Sequence, residues 1–123
     1  MGMDVYGINP LSESGKYFRA NIWSWRPIVA IMRLSGFDVP SSWSYNDGDG
    51  LREQSECNAL ADKIESFMNN ADDSDLELPA PDGLGIDENG IFGKGKKSPY
   101  YTTREHVARW VAFLRNCGGF EIC

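Results

Sequence analysis

The 123-residue chain is predicted to fold as a mainly α, α+β domain: about three helices with a small β-hairpin or short strands, in one compact unit. Three observations point there. Cys57, Leu60, Ala61, Ile64, Phe67, Met68 and Ala71 form an apolar stripe at helical spacing. Val107, Trp110, Val111, Leu114 and Cys117 form a second. Pro27 and Gly36 bracket a third, with Ile28, Ile31 and Met32 on one face. A chain of this length makes one ordinary domain, 1–123, and no repeat divides it.

Residues 1–16 read as an irregular arm. Within it Met3, Val5, Tyr6 and Ile8 make a short extended piece, ended by Asn9-Pro10. Tyr17, Phe18, Ile22, Trp23 and Trp25 fit neither the helix nor the strand period, so that stretch stays open. Pro27 suits the first turn of a helix, where its missing N–H costs nothing, and Gly36 is a natural stop. Helix one is expected at about 25–35, with an earlier start and a kink at Pro27 as the alternative.

Residues 37–50 form a loop, in which Asp47 or Asp49 is expected to cap helix two, at about 50–70. Residues 69–99 are a loop-rich, acidic and Gly-rich insertion within the domain. There Pro79-Ala80-Pro81-Asp82-Gly83 is turn material, and Asn89-Gly90 between short apolar pieces suggests a hairpin. Thr102 and Glu105 have capping-box spacing for the last helix. Gly118-Gly119 ends that helix, with Phe120 packing back on its last turn as in a Schellman cap. Glu121-Ile122-Cys123 reads as a short strand against the core.

A net charge of −6 implies repulsion from nucleic acid and leaves a basic protein as the complementary partner. The three cysteines, Cys57, Cys117 and Cys123, are an odd count without a secretory leader, which argues against a disulfide scaffold. No apolar run reaches the length of a membrane span. A reducing cytoplasm is the expected compartment, with no membrane and no nucleic-acid partner.

Four constellations carry possible chemistry. In Tyr45-Asn46-Asp47-Gly48-Asp49-Gly50-Leu51, placing Gly50 at the sixth position of a calcium loop puts Asp47 and Asp49 at positions three and five, and Glu56 at twelve. Tyr45 then occupies the place of the first carboxylate, and Arg52 the place of an apolar residue. Capping of a helix with a tight Gly turn explains the same residues, so no metal is assigned. The second constellation is aromatic: Trp23, Trp25, Arg26, Trp43 and Tyr45. Trp, Tyr and Arg dominate protein interfaces and stack on flat ligands, whereas large aromatics are also mostly buried. Trp23 and Trp25 cannot both face one way unless the local period is two. The third is His106, without Cys-x-x-Cys or His-x-x-x-His spacing, so zinc or a Cys–His nucleophile would need convergence from separate segments. The fourth is Gly93-Lys94-Gly95-Lys96-Lys97, which lacks the strand–loop–helix setting of a phosphate loop.

Several runs also carry a resemblance. Gly2-Met3-Asp4-Val5-Tyr6-Gly7, Gly15-Lys16-Tyr17-Phe18-Arg19 and Trp23-Ser24-Trp25-Arg26-Pro27 resemble the opening of a group of small proteins from bacteria and their phages. The run 45–51 and the ending Val111-Ala112-Phe113-Leu114-Arg115-Asn116-Cys117-Gly118-Gly119-Phe120 are similar to that group too. The resemblance spans most of the chain except 70–100. It implies a cytoplasmic bacterial or phage origin, and it brings neither a mechanism nor catalytic residues.

The function expected from these observations is a non-enzymatic binding protein, in the form of a phage accessory protein or inhibitor that engages a host or self protein. Its binding residues would be Trp23, Trp25, Arg26, Trp43, Tyr45, Asp47 and Asp49, with no cofactor. The first alternative is a small-ligand binder that sandwiches a nucleotide-like or sugar-like molecule. The second is a hydrolase using Asp47, Asp49, Glu53 or Glu56 as acid, base or metal ligand.

Overall fold

Alternation decides the first two elements. Met3 and Val5 are buried between the outward-facing Asp4 and Tyr6, and Phe18 and Ala20 are buried between Tyr17 and Arg19. That two-residue period makes strands β1 (Gly2–Gly7) and β2 (Tyr17–Asn21), each with one apolar face. They pair antiparallel, with Asp4 opposite Arg19 and Tyr6 opposite Tyr17. The structure is a computed structural model that describes residues 2–45, 48–72, 76, 84–86, 92–94 and 100–123.

Helix α1 (Ile22–Leu34) follows β2 without a loop. Asn21 closes the strand and caps the helix, its side-chain oxygen accepting the Ser24 N–H at 2.9 Å. The helix therefore starts earlier than 25 and holds Pro27 in its interior, as the alternative reading of that segment had it. The mixed spacing of Tyr17 to Trp25 also has its reason here: the period changes from two to 3.6 at Asn21.

Helix α2 (Gln54–Met68) buries Cys57, Leu60, Ala61 and Ile64. Its N-cap position is Glu53, which makes no side-chain capping bond. The expectation that Asp49 caps this helix is corrected, because its carboxylate is bound by Ser42 Oγ and the Gly50 N–H. Asp47 lies outside the described residues. Strands β3 (Leu84–Ile86) and β4 (Phe92–Lys94) form an antiparallel pair with Ile86 opposite Phe92, while the Asn89-Gly90 turn expected between them lies outside the described residues. So does most of the 69–99 insertion.

Helix α3 (Arg104–Asn116) is capped by Thr103, whose hydroxyl accepts the His106 N–H at 3.0 Å. The cap thus sits one residue beyond the expected Thr102. Thr102 is itself buried, with its N–H bound to the Leu76 carbonyl at 2.8 Å. At the other end the expected Schellman closure is also corrected. Gly118 and Gly119 take φ of 66° and 93°, but the Gly118 N–H goes to Gln54 Oε1 at 2.6 Å. Gln54 Nε2 in turn donates to the Leu114 carbonyl at 2.9 Å, so one side chain of α2 holds the end of α3. Phe120 opens strand β5 (Phe120–Ile122), and its ring still packs back on α3, 5.5 Å from Trp110 and 6.1 Å from Phe113.

β5 pairs antiparallel with β1, Val5 opposite Ile122, giving a three-stranded sheet of order β2-β1-β5. A compact α+β fold with three helices and this sheet is more evenly mixed than a mainly α domain. Residues 48–52 run along the outer side of β5. Phe120 N–H donates to the Leu51 carbonyl (2.7 Å), Ile122 N–H to that of Asp49 (2.8 Å), and Gly48 N–H to that of Ile122 (2.7 Å). A Cβ at Gly50 would lie 2.2 Å from the Phe120 carbonyl oxygen, so only glycine allows this approach.

The buried sheet face and the apolar faces of the three helices share one core. Its centre is aromatic: Trp110 lies 5.3 Å from Trp25, 5.5 Å from Phe113 and 5.5 Å from Phe120. All three cysteines are free thiols. Cys57 and Cys117 are buried with their Sγ atoms 3.6 Å apart, while Cys123 is exposed. The contact with Cys117, together with burial, pushes the Cys57 thiol up.

Candidate interaction surface

Trp23, Trp25 and Arg26 all lie in the first turns of α1, and the helix separates them. Residues two apart on a helix point to nearly opposite sides. Trp25 faces inward and is fully buried, its ring at 85° to that of Trp110 and its Nε1 donating to the Trp43 carbonyl at 2.9 Å. Trp43, in the one-turn 3-10 segment Ser41–Ser44, is buried as well, against Phe37 (5.4 Å) and Phe120 (5.2 Å). These two Trp residues, expected in the binding set, are corrected to core residues that fasten the 41–44 turn to α1.

Trp23 faces outward and stays 41% exposed. Its ring packs on Tyr100 at 4.9 Å. Arg26, one helical turn on, lays its guanidinium 5.1 Å over the same Tyr100 ring and donates to the Tyr100 hydroxyl at 3.2 Å. Tyr100 is thus contacted by both α1 side chains. Tyr101 beside it is 49% exposed. Nothing in the sequence marked Tyr100, because it borders the irregular 69–99 segment and its partners lie more than seventy residues away.

Tyr45 is 66% exposed, the most open aromatic in this group. Asp49 is not available as an unengaged carboxylate: the Ser42 hydroxyl and the Gly50 N–H hold its pKa below the ordinary value. Glu53 and Glu56 are exposed at the start of α2. Among the described residues no three His, Cys, Asp or Glu side chains come together as a cation site. No helix among them is long and apolar enough to cross a membrane.

The exposed face of the sheet holds a second network that sequence reasoning missed. Tyr17 OH and Arg19 Nη1 both donate to Asp4 Oδ1, the latter at 2.7 Å. Tyr17 first, then Arg19, lowers the Asp4 pKa, and the same bond to Asp4 raises that of Tyr17. Tyr6 packs beside Tyr17 at 5.2 Å. The signal was present as alternation in 3–6 and 17–20, but it needed the pairing register to bring Asp4 onto Arg19.

Three surface grooves formed by described residues have other walls than Trp23, Arg26, Tyr100 and Tyr45. The largest, about 530 Å³, runs between α2 and α3 past Met68, Arg104, Val107 and Val111. No protein-family model, curated protein or solved structure matches the chain.

Proposed function

We propose that the chain is a non-enzymatic binding protein that engages another protein, with the Trp23–Tyr100–Arg26 stack as its contact point. One observation carries the reading: a large aromatic side chain is held partly in water by a tyrosine that an arginine also contacts. Trp, Tyr and Arg are the residues whose burial contributes most at protein interfaces. Packing them against each other before docking lowers the ordering cost of binding. The exposure of Glu53 and Glu56 favours binding over carboxylate-dependent hydrolysis, which needs converging groups in a water-poor cleft.

The resemblance to bacterial and phage proteins extends this reading to a phage-encoded accessory protein or inhibitor, acting on a host protein in the cytoplasm. The net charge of −6 favours a partner with a basic rim around the apolar contact and disfavours nucleic acid. No cofactor is part of the reading.

Photo-crosslinking tests it. Benzoyl-phenylalanine replaces Trp23 in one variant and the exposed Lys63 of α2 in another, and both are irradiated in bacterial cells. A discrete protein adduct from position 23, absent from position 63 and weakened by Arg26→Glu, is the expected result. Identical adducts from both positions, or none from either, would overturn the proposal.

A further inference from the structure

The outer edge of β2 is a second surface, and its main-chain chemistry follows from the register. Gly7 N–H donates to the Lys16 carbonyl (3.1 Å), and Cys123 N–H donates to the Asp4 carbonyl (2.8 Å). In an antiparallel ladder bonding alternates residue by residue. Odd-numbered residues of β1 therefore bond to β2, and even-numbered ones to β5. On β2 the inward-bonding residues are Phe18 and Ala20, so the N–H and C=O groups of Tyr17 and Arg19 point away from the sheet. The other side of the sheet has no such edge, because residues 48–52 lie along β5.

One of these outward groups is engaged. His106 Nε2 lies 3.1 Å from the Arg19 carbonyl, and a carbonyl only accepts, so the ring carries its proton on Nε2. The ring is fixed by stacking on Phe18 at 5.1 Å. It anchors α3 beside β2 and leaves a groove of about 430 Å³ between them. Ser14, Tyr17 and Arg19 form one wall, and His106, Arg109 and Ala112, spaced three apart along α3, form the other. An edge strand beside a helix is the geometry in which extended peptides bind by adding a strand.

Charge selects the occupant. The groove walls carry two arginines and a histidine and no carboxylate, in a chain of net charge −6. Asp4 pairs with Arg19 from the sheet face, and Glu105 pairs with Arg109 along α3. Arg109 and Glu105 are 67% and 74% exposed, an ion pair weak enough to exchange for an incoming carboxylate. We propose that the β2–α3 groove takes an extended acidic peptide segment of another protein as an added strand on β2. Tyr17 N–H and C=O and the Arg19 N–H supply the main-chain bonds, and the two arginines read alternate acidic side chains. This surface is distinct from the Trp23 stack, and its test does not depend on that reading.

The probe is an eight-residue peptide alternating Glu and Val, titrated into the full chain and followed by amide NMR. Saturable shifts at Tyr17, Arg19 and Arg109 are expected, with at least tenfold weaker binding when Lys replaces Glu. N-methylation of alternate peptide residues along one edge should abolish binding from that edge alone. Arg19→Pro removes the outward N–H without touching an inward bond, and edge positions tolerate proline. It should bind at least fivefold more weakly than Arg19→Ala. Arg109→Glu, a change at an exposed helix position, gives an independent arm and should weaken the peptide at least fivefold. The proposal fails if the Lys peptide binds equally, if shifts fall outside the groove, or if Arg109→Glu binds like the unsubstituted chain. It fails equally if the Tyr17 and Arg19 amides shift with protein concentration alone, which would assign the edge to a second copy of this chain.

Discussion

Two tryptophans of the core offer a controlled measurement of one hydrogen bond. Trp25 and Trp110 are both fully buried, in edge-to-face contact with each other. Trp25 Nε1 donates to the Trp43 carbonyl at 2.9 Å, whereas Trp110 Nε1 is buried with no partner among the described residues. Replacing either by Phe removes the same atoms from the same kind of site. The shared cost of lost contacts and the remaining cavity is about 2 kcal/mol. The polar terms then have opposite signs. Trp25→Phe deprives the Trp43 carbonyl of its donor, at about 1–3 kcal/mol, while Trp110→Phe removes an unsatisfied N–H that already costs a comparable amount. Trp25→Phe should therefore destabilise by roughly 4 kcal/mol more than Trp110→Phe, the two polar terms adding in the difference. With a urea slope near 2 kcal/mol per molar, that is a midpoint difference of about 2 M. Equal midpoints, or a lower midpoint for Trp110→Phe, would refute the assignment of that bond. Trp23→Ala on the same helix should cost about 1 kcal/mol, the scale of a single exposed aromatic pair.

The thiols and the acid limb give two further predictions. A thiol reagent should label Cys123 alone in the native protein, and reach Cys57 and Cys117 only at the rate of unfolding, since both are buried. Labelling of all three before unfolding would contradict the packing of α2 against α3. The Asp4 and Asp49 pKa values are lowered from the ordinary 3.8, so each carboxylate stabilises the fold above that pH. The contribution is lost as pH falls through the depressed native value. Melting temperature should therefore drop below about pH 4, and Asp4→Asn should flatten part of that drop.

The parts of the fold that the sequence makes legible are those whose information is local. The stripes Cys57–Ile64 and Val107–Leu114 each lie within one helix, and both fall where the period puts them. The errors arise where a distant group replaces the local partner. Gly118 takes Gln54 from α2 instead of closing its own helix, and Asp49 takes Ser42 instead of capping α2. The three-stranded sheet was hidden for the same reason, because its middle strand is paired with opposite ends of the chain. In the candidate surface, Trp23 and Arg26 were legible from residue type alone. Their separation from Trp25 needed the true helix start at Ile22, and Tyr100 needed the tertiary contact.

The pairing of Val5 with Ile122 has a kinetic consequence. β1 and β2 meet through a short connection and form a local hairpin, whereas β5 must cross nearly the whole chain to reach β1. Loop-closure entropy grows slowly with length, by about 0.6 kcal/mol per doubling, but it is met before any contact compensates for it. The Trp43 and Phe120 rings also meet only after that closure, and with them the strip at 48–52. The expected order is therefore hairpin and helices early, β5 last. Substitutions at Phe120 or Ile122 should leave the refolding rate nearly unchanged and act almost wholly on unfolding, whereas those at Phe18 should slow folding itself.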